Sequence, residues 1–189
     1  MDFLQQLDEH QAVIDGLRSL AQTVERIAAR MTSCLRAGGT VFWFGNGGSA
    51  SQAQHLAAEL VGRYERDRAG LASVALTTDT SVLTAVSNDY SFDEVFARQV
   101  QALCRAGDLV IGLSTSGNSP NVVRGLEAAH ARHAATVAMT GGDGGKLAAL
   151  ADDALVIPSA RTSRIQEAHL LIGHLLCGQV ELDDPAATP

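Results

Sequence analysis

Five short apolar runs, at residues 41–44, 74–76, 109–113, 136–139 and 154–157, dominate the chain, and most are separated by stretches of helical spacing at 50–63, 92–104, 122–132 and 146–150. Strands that are apolar without alternation are covered on both faces, and helices between them make the crossover connections of a parallel sheet. The pattern therefore predicts an α/β fold, a doubly wound five-stranded parallel sheet flanked by helices. Ahead of it, Val13, Ile14, Leu17, Leu20, Ala21, Val24, Ile27, Ala28, Met31 and Leu35 recur at helical spacing. They predict an N-terminal helical extension over 2–36, with a break near Gly16. Beyond Pro158 a last helix is expected over 163–182. With no internal repeat and no linker, the 189 residues read as one domain: a helical segment at 1–36, a core at 37–182 and a frayed tail at 183–189.

Charge narrows the partners. Lys and Arg number 14 against 21 acidic residues, a net charge of −7, so the overall field repels nucleic acid and acidic membrane surfaces. Any phosphate must be held locally. The N-terminus has no basic segment followed by an apolar run, and the richest apolar stretch, 170–177, is far too short to span a bilayer and contains His174. Cys34, Cys104 and Cys177 are odd in number, far apart and free of any CxxC pair. They read as buried thiols of a reducing, cytoplasmic compartment.

Ligands of open parallel sheets bind beyond the carboxyl ends of the strands, so the loops there carry the search for function. Gly45-Asn46-Gly47-Gly48-Ser49 joins a strand to a helix, and its glycines let backbone N–H groups approach an anion at the helix N-terminus. The same residues also make a tight turn with Ser49 as N-cap and Gln52 as its capping-box partner. The match to a dinucleotide fingerprint lacks its acidic partner: Glu65 and Asp67 precede the next strand and Asp79 lies too far along. A dinucleotide-dependent oxidoreductase is thereby disfavoured. Ser114-Thr115-Ser116-Gly117-Asn118-Ser119 follows the third strand and leads into Pro120, which suits the first position of a helix capped by Ser119. Four hydroxyls at one helix start offer donors to a phosphate without adding positive charge.

These loops, together with 54–60 (QHLAAEL), 76–79 (LTTD), 88–90 (NDY) and 164–169 (RIQEAH), resemble the phosphoheptose isomerase family in order and spacing over nearly the whole chain. The resemblance implies a sugar-isomerase (SIS) domain, flavodoxin-like or Rossmann-like in topology. It implies that Ser114, Thr115, Ser116 and Ser119 hold the substrate phosphate. Asn46, Gly47, Gly48, Asn88 and Asp89 would line the sugar, with Glu59 and Gln166 also at the substrate. It further implies a homotetramer with sites between subunits, and the long N-terminal stripe is one that could use a partner helix.

His55 and Glu59 stand four apart on one predicted helix, and Gln166, Leu170 and His174 step along another at the same interval. By the resemblance, Glu59 and His174 are the acid–base pair, and one zinc per subunit sits on His55, Glu59, Gln166 and His174. Each residue also has a plainer reading. His55 could be an exposed helix residue, Glu59 could pair with Arg63, Gln166 could close a capping box with Ser163, and His174 could be a core histidine, with His169 as its nearest rival. The implied reaction converts sedoheptulose 7-phosphate to D-glycero-D-manno-heptose 7-phosphate through an enediolate, in heptose precursor biosynthesis. The principal rival is a non-catalytic regulator of the same fold that associates with a replication initiator, in which the positions of Glu59 and His174 are not an acid–base pair.

Overall fold

The computed structural model describes residues 2–184. Parallel strands β1 (Val41–Gly45), β2 (Ser73–Ala75), β3 (Leu109–Leu113), β4 (Ala135–Gly141) and β5 (Asp153–Ile157) form one sheet in the order β2-β1-β3-β4-β5. β1 and β3 are buried at every residue, which is why they read as continuous apolar runs. The chain winds outward from β1 in one direction and from β3 in the other. The strand order therefore reverses between these two neighbours, where doubly wound folds leave a ligand crevice.

The stripe over 2–36 is two helices, α1 (Phe3–Gly16) and α2 (Ala21–Arg36), joined by one 3₁₀ turn at Leu17–Leu20. α2 buries Ile27, Ala28 and Met31, whereas α1 buries nothing and leaves Phe3, Leu4 and Leu7 exposed. α3 (Gly48–Val61) and α8 (Thr162–Asp183) join α2 on one face of the sheet, where Leu56, Leu60, Ile165, Ile172 and Leu176 meet Trp43 and Ile111. α5 (Val95–Leu103), α6 (Pro120–Ala131) and α7 (Gly145–Leu150) cover the other face around Phe44, Phe96 and Leu126. Phe44 and Phe96 stack there with centroids 4.9 Å apart. Cys34, Cys104 and Cys177 are all buried and free, as their apolar surroundings predict. Burial pushes the first two thiols up to about 11 and the third to about 12. Among the described residues no helix is long and apolar enough to cross a membrane.

Several local expectations are corrected. α4 (Thr80–Asp89) is a helix that periodicity does not reveal, because none of its residues is buried. Only its N-cap, Asp79, which accepts from the Val82 N–H at 3.0 Å, marks it in the sequence. α3 starts two residues earlier than expected. Its N-cap is Gly47 at φ 55°, Ser49 is buried inside the first turn, and Gln52 reaches across to the Gln166 carbonyl instead of closing a capping box. α8 likewise begins after Arg161, so Ser163 and Gln166 form no capping box. It runs through Asp183, one residue into the expected tail, and 185–189 lie outside the described residues.

Candidate active site

β1 and β3 deliver two loops side by side at the sheet's switch point. Asn46, just past β1, and Asn121, in the first turn of α6, exchange two amide hydrogen bonds, each 2.8 Å. Asn121 is 2% exposed, so this reciprocal pair is a fixed bridge between the loops. Asn121 is not among the expected site residues. Its place one residue after a Pro-led helix start is the signal that could have singled it out.

The second loop gathers its hydroxyls. Ser114 Oγ lies 2.9 Å from Ser119 Oγ and 3.5 Å from Ser116 Oγ, and Ser116 Oγ accepts from the Asn118 N–H at 3.2 Å. Ser119 holds the N-cap position of α6 but makes no side-chain cap, because its hydroxyl is turned toward Ser114. Three hydroxyls therefore converge beside a helix start whose N–H groups lack a side-chain acceptor, a ready anion cradle. Thr115 is half-buried beside them. The loop is pressed against the chain before α7. A Cβ on Gly117, which sits at φ 65°, would lie 2.0 Å from the Gly144 carbonyl oxygen, so only glycine fits.

A second cluster forms on the flank where α3 and α8 run together. His55 Nε2 lies 2.8 Å from His174 Nε2 and 3.3 Å from Glu59 Oε1. One ligand atom from each of the three residues falls within 4.8 Å of the others. Two ligands at zinc's usual 2.0–2.1 Å in a tetrahedral site stand about 3.3 Å apart. Two imidazoles and a carboxylate at these separations fit a zinc ion. Glu59 thus pairs with His55 and not with Arg63. His174, despite its apolar neighbours in sequence, is only half-buried, with its imidazole against His55. Its rival His169 is the core histidine: fully buried, bonded to the Thr140 carbonyl at 3.0 Å, and lowered by burial to about 4.

Three expected site residues, Gln166, Asn88 and Asp89, are not part of this cluster. Gln166 lies two turns before His174, and its side-chain amide packs on Gly48, where a Cβ would come within 2.4 Å of it. Asn88 and Asp89 are exposed at the end of α4, where the Asn88 amide donates to Asp89 Oδ1 at 2.8 Å. Neither the Asn88 nor the Asp89 side chain hydrogen-bonds to either loop.

A doubly wound sheet of this order, with a hydroxyl loop at its switch point, defines a sugar-phosphate-binding domain of the SIS class, and the SIS domain family model matches residues 5–141. The phosphoheptose isomerase of Aquifex aeolicus is 53% identical over 161 residues, covering 85% of this chain and 84% of its own. That of Paramagnetospirillum magneticum is 50% identical over 178 residues, covering 94% and 93%. The solved phosphoheptose isomerase GmhA of Neisseria gonorrhoeae superposes with a TM-score of 0.90 at 45% identity, covering 95% of this chain and 96% of that one. The chain belongs to the phosphoheptose isomerase family, and it is an isomerase built on the fold that its strand pattern predicts.

Proposed function

We propose that the chain isomerises sedoheptulose 7-phosphate to D-glycero-D-manno-heptose 7-phosphate in the cytoplasm, supplying heptose precursors, with Glu59 and His174 as its proton-transfer pair. The observation that carries this reading is the approach of His55, Glu59 and His174 across two helices in a member of this family. Holding a sugar phosphate needs only the loops. A carboxylate beside two imidazoles adds the side-chain types that general acid–base catalysis uses.

The chemistry assigns each part a task. Ser114, Thr115, Ser116 and Ser119, with the first turn of α6, hold the phosphate through hydroxyl and N–H donors. Asn46, Gly47, Gly48, Asn88, Asp89 and Gln166 line the sugar chain. A proton leaves C1, an enediolate forms, and a proton returns at C2 while the hydroxyl proton passes from O1 to O2. Glu59 takes and returns the carbon proton, and His174 serves the oxygens. His55, Glu59 and His174 would hold the zinc, and Gln166 completes the set where its amide is brought to them. When bound, the zinc supplies Lewis-acid polarisation of the substrate oxygens.

The active unit is a homotetramer with sites between subunits. Within one chain, His55 and Glu59 lie seven and eleven residues beyond Gly48, about 10 and 16 Å down α3 from the loops. A second copy can bring one subunit's cluster to another's hydroxyl loop. A groove of about 730 Å³ between the N-terminal helices and α8, lined by Ile14, Leu17, Leu171 and Leu175, supports this assembly. So do the exposed residues of α1. Residues 1–189 serve as one SIS domain, with 1–36 supplying helices to the assembly and 37–182 the core.

Incubation of the purified protein with sedoheptulose 7-phosphate, followed by NMR with and without a chelator, tests the reading. Appearance of the aldose is expected. No product under either condition would contradict it and point to a regulator that binds the sugar phosphate without turning it over.

A further inference from the structure

The connection from α3 to β2 is built around a buried ion pair. The side chains of Arg68 and Glu181 are 0% and 1% exposed, with Arg68 Nε 3.1 Å from Glu181 Oε1. The Glu181 carboxylate also accepts from the N–H groups of Tyr64, Glu65 and Arg66 at 2.7, 2.8 and 2.9 Å. Burial alone would raise this carboxyl, but the three N–H donors and Arg68 together hold it below its ordinary range. Arg68 in turn donates to the carbonyls of Glu59 at 2.7 Å and Leu60 at 2.8 Å, in the last turn of α3. One ion pair thus fastens three things to each other: the end of α3 that carries Glu59, the chain at 64–66, and α8.

Tyr64 is what this clamp places. Its ring stacks on the His174 imidazole with centroids 5.3 Å apart and planes 22° from parallel. It lies over Gly178, one turn further along α8, where a Cβ would already approach Tyr64 Cε1 to 3.3 Å. His174 also meets the His55 ring, 5.0 Å away and at 71°, through its Nε2 edge. The imidazole thus has Tyr64 stacked on its face and His55 at its Nε2 edge. Buried ion pairs add little net stability over apolar replacements, whereas this one ties α3, the 64–66 segment and α8 together.

We infer that Tyr64, locked by the Glu181–Arg68 pair, is a positioning residue that holds the His174 imidazole against His55 and Glu59. This rests on the proton-transfer role proposed for His174. The ring face, and not the phenol hydroxyl, does the positioning, because stacking requires only the ring. A small misplacement of a catalytic side chain costs turnover far more than substrate binding.

Steady-state kinetics on sedoheptulose 7-phosphate and thermal unfolding, for wild type, Tyr64→Ala, Tyr64→Phe and His174→Gln, provide the test. Tyr64→Ala is expected to lose about tenfold or more in kcat, with KM within about twofold and an unfolding midpoint close to wild type. Tyr64→Phe is expected to restore most of kcat. A wild-type kcat in Tyr64→Ala, or a Phe variant as slow as the Ala one, would overturn the inference while a slow His174→Gln left the proton-transfer reading standing. A fully active His174→Gln would overturn both.

Discussion

His55 Nε2 and His174 Nε2 face each other at 2.8 Å, across helices whose contributing residues are 119 positions apart in sequence. Two imidazole nitrogens at this distance share one proton if no cation lies near, and both are free to ligate if one does. Glu59, 3.3 Å from the same His55 nitrogen, adds a carboxylate ligand and negative charge that favour a cation there.

Zinc binding should therefore stabilise the fold. At a free zinc concentration about a hundredfold above Kd, linkage adds about 2.7 kcal/mol, which for a domain of this size raises the unfolding midpoint by about 5–10 °C. His55→Ala should remove most of that rise while leaving the metal-free midpoint little changed. Differential scanning calorimetry with added zinc and with a chelator checks this, and an equal rise in both proteins would contradict it.

The hydroxyl cradle should govern substrate binding. Ser114 is 4% exposed and touches both Ser116 and Ser119, so Ser114→Ala removes one donor to the phosphate and loosens two others. A hydrogen bond to a charged group is worth about 1.5–3 kcal/mol. KM should rise by about tenfold or more, with kcat changed much less. A variant whose kcat fell while KM held would place Ser114 at the reacting carbons instead.

Acid should weaken the fold through His169. Burial lowers its imidazole from the ordinary 6.5 to about 4. Between those values the unfolded chain binds a proton that the native chain refuses, so stability rises with pH across the window and is lost as pH falls from 6.5 to 4. The loss amounts to about 3 kcal/mol. His169→Gln, which has no such proton to bind, should show a flatter pH dependence of urea unfolding between pH 6.5 and 4. An unchanged slope would contradict the assignment.

How much of this was legible in the sequence follows from the range of the contacts. Strands β1, β3 and β4 were legible because burial on both faces leaves an unbroken apolar run, as in Val41–Gly45. α4 was hidden because a helix that buries no residue leaves no stripe. The start of α3 was displaced because Ser49 looks like a cap by residue type, while Gly47 takes the position through a left-handed φ that sequence only permits. His55 and Glu59 could be placed on one face by their spacing. The meeting of His174 with them depends on α3 and α8 packing together, which no local pattern encodes. Tyr64 carried no signal at all, since its contact with His174 joins residues more than a hundred positions apart, as does the Arg68–Glu181 pair beside it.

Glu59→Gln tests the central claim most directly, because it keeps the shape of the side chain and removes its basicity. Turnover of sedoheptulose 7-phosphate, followed by NMR, should fall at least about a hundredfold, with the protein folded and its affinity for the sugar phosphate, measured by calorimetry, nearly unchanged. Turnover close to wild type in that variant would contradict the assignment of Glu59 as the proton-transfer base.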